Sequence, residues 1–153
     1  MKIKIKKFQE LTGTELYKIL KIRAEVFVVE QECAFNDVDG KDYQCTHIFM
    51  EDENEEVVAY IRALPPGVSY ENSSLGRVLV KKEYREKGLA RQIVQEGINY
   101  LFNSENRKEI TIGAQHYLEN FYKSLGFKKI SEVYLDDGIP HVDMTLKLKK
   151  SHI

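Results

Sequence analysis

The chain has 153 residues, of which 42% are hydrophobic and 31% are charged, and its formal net charge is −1. This composition is typical of a folded globular protein and excludes the disordered and fibrous classes. The near-zero charge gives no general attraction to nucleic acid or to an anionic membrane, and no apolar run is long enough to span a bilayer. The lysine-rich start does not have the pattern of a signal peptide. We therefore expect a single domain over residues 1–153, located in the cytoplasm, with no nucleic-acid or membrane partner.

Cysteine and aspartate patterns give no indication of a metal site. Two cysteines, Cys33 and Cys45, are too few for a disulfide framework and lack the spacing of metal ligands. The acidic run 37–42 is similar to a calcium-binding loop. With Gly40 at the sixth position of such a loop, however, the first and twelfth positions lack the carboxylates that calcium requires. We expect an Asp-rich turn here and no metal.

The first half of the chain predicts four strands and one helix. Residues 2–8 alternate lysine with isoleucine, which predicts an edge strand with one solvated face. Either Thr12 or Thr14 can cap the helix that follows, and its apolar spacing continues to Phe27 before becoming irregular. The other strands are predicted at residues 46–51, 56–64 and 75–80. The first two of these form a hairpin, and Pro65 ends the second.

The second half of the chain predicts two helices that alternate with strands. The first helix begins near Gly88, and the second ends at Leu125 because Gly126 can adopt the left-handed cap conformation. Strands are predicted at residues 109–114, 127–134 and 141–148, with a loop at residues 136–140. This alternation indicates an α/β fold whose sheet has both parallel and antiparallel neighbours.

Residues 76–92 contain the clearest candidate binding site. An apolar strand passes through a charged turn into the helix that begins near Gly88. The first N–H groups of a helix have no intrahelical acceptor, and the positive end of the helix dipole favours an anion. Because Gly88 and Ala90 are small, a phosphate group can approach the backbone there.

Three segments resemble, in the expected order, the GCN5-related N-acetyltransferase (GNAT) superfamily. They are Arg85-x-x-Gly88-x-Ala90, the strand that ends at Ala114-Gln115, and the run Phe121-Tyr122-Lys123-Ser124-Leu125-Gly126-Phe127. Residues 23–31, 39–42, 114–122 and 137–141 resemble the ElaA-like branch of this superfamily. The resemblance implies the GNAT fold, an α/β architecture. Its mixed, mostly antiparallel and twisted sheet has splayed central parallel strands and is flanked by helices.

The resemblance also implies that acetyl-CoA is the cosubstrate and that no metal takes part. The N–H groups around residue 88 would bind the diphosphate, and the strand edge would pair with the pantetheine arm. Gln115 stands where many relatives carry asparagine. The expected cofactor-binding residues are Val78, Leu79, Val80, Arg85, Glu86, Lys87, Gly88, Leu89, Ala90, Arg91, Gln115 and Tyr122.

The resemblance assigns Tyr122 the role of a general acid that protonates the leaving thiolate, although a tyrosine here could also be a core residue. The base is open among His141, which has a suitable intrinsic pKa, Glu30 and His47. Cys33 could instead carry the acyl group in a two-step scheme, but direct transfer in a ternary complex is the usual route of the family.

The expected reaction is transfer of an acetyl group to a primary amine of a small molecule or a peptide. Gln31, Asp39, His47 and Asp137 are the candidate substrate-binding residues. The acidic loops favour a cationic acceptor such as a polyamine, an amino sugar or lysine, although such loops are commonly only solvated. The alternative function is a non-catalytic acyl-CoA-binding or regulatory module. The resemblance also allows a homodimer.

Overall fold

The computed structural model describes residues 1–149 and contains two sheets that lie side by side. The first sheet contains, in spatial order, β1 (Lys2–Lys7), β2 (Thr46–Glu51), β3 (Val57–Leu64) and β4 (Ser74–Val80). The second contains β5 (Glu109–Gln115), β6 (Lys128–Lys129), β7 (Tyr134–Asp136) and β8 (Ile139–Lys147), and β8 pairs with the other three. The α-helices are α1 (Gly13–Arg23), α2 (Leu89–Asn99) and α3 (Glu119–Ser124). Within the described residues, no helix combines the length and apolar character needed to cross a bilayer.

The two sheets are joined at one point, where the chain enters β4. Ser73 pairs in parallel with Ile110 of β5. The N–H of Thr111 donates to the Ser73 carbonyl at 2.9 Å, and Ser73 Oγ donates to the Glu109 carbonyl at 2.7 Å. Beyond this join, β4 and β5 form no further ladder within residues 1–149, so the two strands diverge. The splayed parallel strands that the resemblance implies are confirmed.

Helices cover both faces of the first sheet. All residues of β2 are buried, and they alternate between the two faces. Ile48 packs in the same cluster as Ile93 of α2, whereas Phe49 packs with Ile19 of α1. Tyr122 of α3 belongs to the α2 cluster. The core therefore has two layers. Helix α1 packs on one face of the first sheet and α2 on the other, and α3 extends the α2 layer over β5 and β6 of the second sheet.

Helix α1 begins at Thr12, one of the two predicted caps. Thr12 Oγ1 accepts the N–H of Glu15 at 3.0 Å, and the Glu15 carboxylate accepts the N–H of Thr12 at 2.9 Å. Lys4 and Lys6 of β1 also donate to Glu15, each at 2.9 Å. β1 is an edge strand as predicted, but its lysine face is not the solvated face that was expected, because α1 packs against it.

Helices α1 and α2 continue as wider π-helical turns over Ala24–Glu30 and Tyr100–Ser104. A π-turn holds more residues than an α-turn, so it rotates the apolar pattern relative to the preceding helix. The pattern around Val28 therefore looks irregular in the sequence although the chain remains helical.

The strands after α3 differ from the prediction. The expected strand over residues 127–134 is wrong in its middle, because Ser131 Oγ accepts the N–H of Asp143 at 2.9 Å in place of a backbone carbonyl. The expected loop over residues 136–140 is a tight hairpin turn. Asp137 and Gly138 both have positive φ, +50° and +77°, which is the conformation of a two-residue type I′ turn.

A buried ion network holds the loop between α1 and β2 against the first sheet. Arg23 is fully buried and contacts Asp37 at 2.9 Å and Asp42 at 2.8 Å. Arg62 of β3 contacts Asp42 at 3.0 Å, and Arg77 of β4 contacts Asp37 at 2.8 Å. Buried charges require partners of this kind, because an unpaired buried charge is strongly destabilising.

We predict that Arg23→Met lowers the free energy of unfolding by about 3–5 kcal/mol, because it leaves two buried carboxylates without this cation. Urea denaturation followed by circular dichroism measures the change. Lys21→Met, at an exposed position of the same helix, is the control and is expected to change stability by less than about 0.5 kcal/mol. Equal stabilities of the two variants would contradict a role for the network in holding the loop.

Candidate active site

The divergence of β4 and β5 opens a cleft of about 630 Å³, called the central cleft below. Its two long walls are β4 and β5. The start of α2 and part of α3 border one side of the central cleft. The end of the π-turn after α1 and the β7–β8 turn border the other.

The β4 wall presents a free backbone edge. In the pairing of β4 with β3, Leu79 lies opposite Tyr60 and Gly76 lies opposite Arg62. Between these two pairs β4 has one residue more than β3 and therefore forms a β-bulge. At the other end of β4, the N–H of Lys81 donates to the Val58 carbonyl at 2.8 Å. Hydrogen-bonded and non-hydrogen-bonded pairs alternate along an antiparallel ladder.

This alternation gives Leu79 and Val80 opposite orientations. The Leu79 N–H is directed to β3, whereas the Val80 N–H is directed away from β3 and towards the central cleft. The Val80 carbonyl also lies on this edge, where it accepts Arg85 Nε at 2.9 Å. Val78, Leu79 and Val80 all line the central cleft.

The start of α2 supplies several backbone donors. Gly88 has φ +79° and precedes the first helical residue, and its carbonyl accepts the N–H of Gln92 at 3.1 Å. The N–H groups of Leu89, Ala90 and Arg91 come before this first intrahelical bond, and no side chain among residues 1–149 caps them. Gly88 and Ala90 line the central cleft, so this end of it is suited to an anion.

The predicted residues around Gly88 take different positions. Arg85, Glu86 and Arg91 line the central cleft. The Leu89 side chain is buried in the core instead, and the Lys87 ammonium lies 5.5 Å from the centre of the Tyr84 ring. Only the backbone group of Leu89 is therefore available for an anion.

Glu30 is an ion-pair partner of Arg85. Its two carboxylate oxygens accept Arg85 Nη1 and Nη2 at 2.5 and 3.0 Å. The hydrogen bonds from Arg85 lower the pKa of Glu30, which makes this carboxylate a weaker base. The pair lies at the border of the central cleft, between the π-turn after α1 and the loop before α2.

Tyr122 and Gln115 both line the central cleft. The Tyr122 ring is buried and packs edge-on against Phe121 and Phe127, with ring centroids 5.1 and 5.8 Å away. Burial raises the pKa of the Tyr122 phenol well above its usual range, so this hydroxyl keeps its proton at neutral pH. Gln115 ends β5 and lies directly opposite His141 of β8.

His141 is half-buried and lines the central cleft. Its Nδ1 lies 2.7 Å from the Ile139 carbonyl oxygen. Because a carbonyl can only accept a hydrogen bond, Nδ1 carries the proton in the neutral ring. The lone pair of the neutral imidazole is then on Nε2.

Two predicted substrate-binding residues lie outside the central cleft. His47 is fully buried, with Nδ1 2.7 Å from the Tyr60 hydroxyl and Nε2 3.0 Å from the Asp42 carbonyl, so neither nitrogen is available as a base. Asp39 accepts hydrogen bonds from Arg62 through both oxygens. These assignments were wrong about location, because the sequence did not reveal the partners that each residue finds in the fold.

Gln31, Cys33 and Asp137 do line the central cleft. Cys33 Sγ lies 3.6 Å from the Asp137 carbonyl and donates to it. Tyr134, whose ring stacks on that of His141, is not among the residues predicted from the sequence. The Asp137-Gly138 pair was the available signal, because a two-residue turn at this point places Tyr134 opposite His141.

Comparison with known proteins identifies the family. Residues 16–148 match the model of the acetyltransferase (GNAT) domain. The chain belongs to this family. It is 38% identical over 144 residues to UPF0039 protein C11D3.02c of Schizosaccharomyces pombe, covering 94% of this chain and 95% of that protein. It is 39% identical over 137 residues to Protein ElaA of Escherichia coli, covering 88% and 89% of the two chains.

Two solved structures are also similar along almost the whole chain. The crystal structure of Escherichia coli ElaA has a TM-score of 0.88 at 35% identity, covering 95% of this chain and 99% of that one. An acyl-CoA N-acyltransferase from Pseudomonas aeruginosa has a TM-score of 0.89 at 32% identity, with the same coverage. The GNAT fold and the ElaA-like branch predicted from the sequence are confirmed, and acyl transfer is the general chemistry of the family.

We predict that Glu30→Gln strengthens the binding of coenzyme A by up to about fivefold, because it removes the anion that neutralises Arg85. Isothermal titration calorimetry at low ionic strength measures the affinity. The gain is expected to shrink in 1 M salt, where charges are screened within about 3 Å. Weaker binding by the variant would show that Glu30 does not compete with an anionic ligand for Arg85.

Proposed function

We propose that the protein transfers an acetyl group from acetyl-CoA to a primary amine of a small molecule or a peptide. Transfer is direct, within a ternary complex. One observation carries the proposal: the free N–H groups at the start of α2, the Val80 edge, the Tyr122 ring and His141 all border the same cleft. Each supplies one of the functions that acyl transfer from a thioester to an amine requires.

The donor end of the central cleft fits a nucleotide diphosphate. The unpaired N–H groups of residues 89–91 and the dipole of α2 favour an anion, and Arg91 adds positive charge, whereas the charge of Arg85 is neutralised by Glu30. An added Cβ at Gly88 would have no atom within 4 Å, so the backbone is open to a ligand on this side. The free edge of β4 can pair with the amides of the pantetheine arm as an additional strand would.

The remaining residues are placed for the chemical step. The Val80 N–H stabilises negative charge on the thioester oxygen as the amine attacks. His141 Nε2 takes the proton that the ammonium form of the acceptor must lose. A C–N bond forms, the C–S bond breaks, and the Tyr122 phenol gives its proton to the thiolate. The newly bonded nitrogen loses its extra proton, which restores the phenol and leaves a neutral amide. Glu30 is the weaker candidate base because Arg85 holds its carboxylate.

The acceptor end supports a cationic amine as substrate. Asp136 and Asp137 of the β7–β8 turn line the central cleft beside His141, as does Gln31. Carboxylates at this position attract an ammonium group and increase its rate of encounter with the site. A polyamine, an amino sugar and a lysine side chain all have this chemistry.

The experiment that tests the proposal measures thiol release from acetyl-CoA with a panel of primary amines. We expect release well above hydrolysis with at least one cationic amine, and a mass increase of one acetyl group in the product. Tight binding of coenzyme A with no amine-dependent release would instead favour the non-catalytic acyl-CoA-binding module.

We predict that Ala90→Glu weakens coenzyme A binding by at least tenfold. A carboxylate within about 4 Å of a phosphate is repelled by up to a few kcal/mol at an effective dielectric constant near 20. An acidic residue in the first turn of a helix is favoured by the helix dipole, and circular dichroism checks that the variant is folded. Gln95→Glu adds the same charge at an exposed position further along α2 and should leave the affinity within about twofold. Calorimetry measures both variants, and equal affinities would contradict the diphosphate site.

We predict that Tyr122→Phe lowers kcat by about a hundredfold, within the range for loss of a general acid, and leaves the KM for acetyl-CoA unchanged. Phenylalanine preserves the ring packing, so the fold is retained. Tyr117→Phe is the matched control, because this tyrosine also lines the central cleft but is 74% exposed. Steady-state thiol release measures both variants, and unchanged kcat in Tyr122→Phe would remove this residue from the mechanism.

A further inference from the structure

The His141 imidazole is covered on one side by an aromatic ring. Tyr134 lies directly opposite His141 in the β7–β8 pairing, so both side chains are on the same face of the sheet. The ring centroids are 6.1 Å apart and the planes differ by 25°, which is a stacked arrangement. Together with the hydrogen bond from Nδ1 to the Ile139 carbonyl, this contact restricts both the position and the rotation of the ring.

Tyr134 is itself held by a carboxylate. Its hydroxyl donates to Asp143 Oδ1 at 2.6 Å, and the Tyr70 hydroxyl donates to the same oxygen at 2.7 Å. Hydrogen bonds to an ionised group are about twice as strong as neutral ones. Burial and the bond to Asp143 raise the pKa of Tyr134 to about 12, so the phenol remains a donor at neutral pH.

The sheet leaves room for this cluster at a glycine. Gly113 of β5 lies opposite Asp143 of β8. A Cβ at this position would lie 2.8 Å from the Tyr70 hydroxyl and 3.2 Å from the Tyr134 hydroxyl. The absence of a side chain at Gly113 therefore allows both phenols to reach one carboxylate oxygen.

We infer that Tyr134, anchored by Asp143, is a positioning residue that holds the His141 imidazole with Nε2 available to the acceptor amine. The catalytic part of this inference rests on the proposed role of His141 as the base. The placement of the ring is a separate structural claim. Tyr70 shares the anchor but makes no ring stack with His141 within the described residues.

The two tyrosines provide a matched pair of variants. Tyr134→Phe and Tyr70→Phe each remove one hydrogen bond to the same oxygen of Asp143. Only Tyr134→Phe loosens the ring that contacts His141. We expect Tyr134→Phe to lower kcat about tenfold with the KM for acetyl-CoA unchanged, because misorientation of a reacting group is costly. Tyr70→Phe should retain kcat within about twofold. Equal losses in the two variants would overturn the inference.

A double-mutant cycle tests whether Tyr134 acts through His141. In a His141→Gln background, Tyr134→Phe should cause no further loss of kcat, because the residue that it positions is already absent. A full additional loss would show that Tyr134 acts in another way. Wild-type kcat in His141→Gln alone would overturn the catalytic part of the inference.

NMR spectroscopy tests the placement of the ring without any turnover. The chain has four histidines, and the His141 ring-proton signals are assigned by their disappearance in His141→Gln. Stacking on Tyr134 should shift these signals through its ring current. We expect them to move in Tyr134→Phe and to remain in place in Tyr70→Phe, and the opposite result would overturn the placement. If no amine is acetylated, the proposed function fails, while this measurement still decides the placement.

Discussion

The single parallel join between Ser73 and Ile110 is the constraint on which the site depends. It keeps β4 and β5 together at one end and leaves them unpaired beyond it. Backbone N–H groups in a protein interior are costly to leave without partners. Because the unpaired edge of β4 lines the central cleft, its N–H groups are available to a ligand. The Val80 N–H and the unpaired N–H groups at the start of α2 border the same cleft.

The buried ion network connects the bulge of β4 to the loop that follows α1. Arg77, in the bulge of β4, has φ +53° and contacts Asp37 of the loop that follows α1. A positive φ at a non-glycine residue is unfavourable, so it requires support from surrounding contacts. The buried network around Arg23 supplies that support and fixes the loop. The bulge of β4 and the loop that carries Asp37 are thus held together.

Much of the fold could be predicted because its signals are local. The alternation in β1, the Thr12 cap, Pro65 and the Gly126 turn each act within a few residues. The residues that line the cleft at the start of α2 could likewise be predicted, because Arg85, Gly88 and Ala90 lie within six residues of one another. The opposite side of the cleft could not, because it depends on tertiary partners. Whether His47 is buried, and which residue covers His141, is set by strand register and by contacts between residues distant in sequence.

The most direct test of this account is an NMR titration of the ¹⁵N-labelled protein with coenzyme A, in which individual backbone amides are followed. The account predicts large shifts for the Val80 amide and for those of residues 89–91, and little change for the Leu79 amide, which is directed to β3. Shifts at Leu79 without shifts at Val80, or an unaffected start of α2, would contradict it.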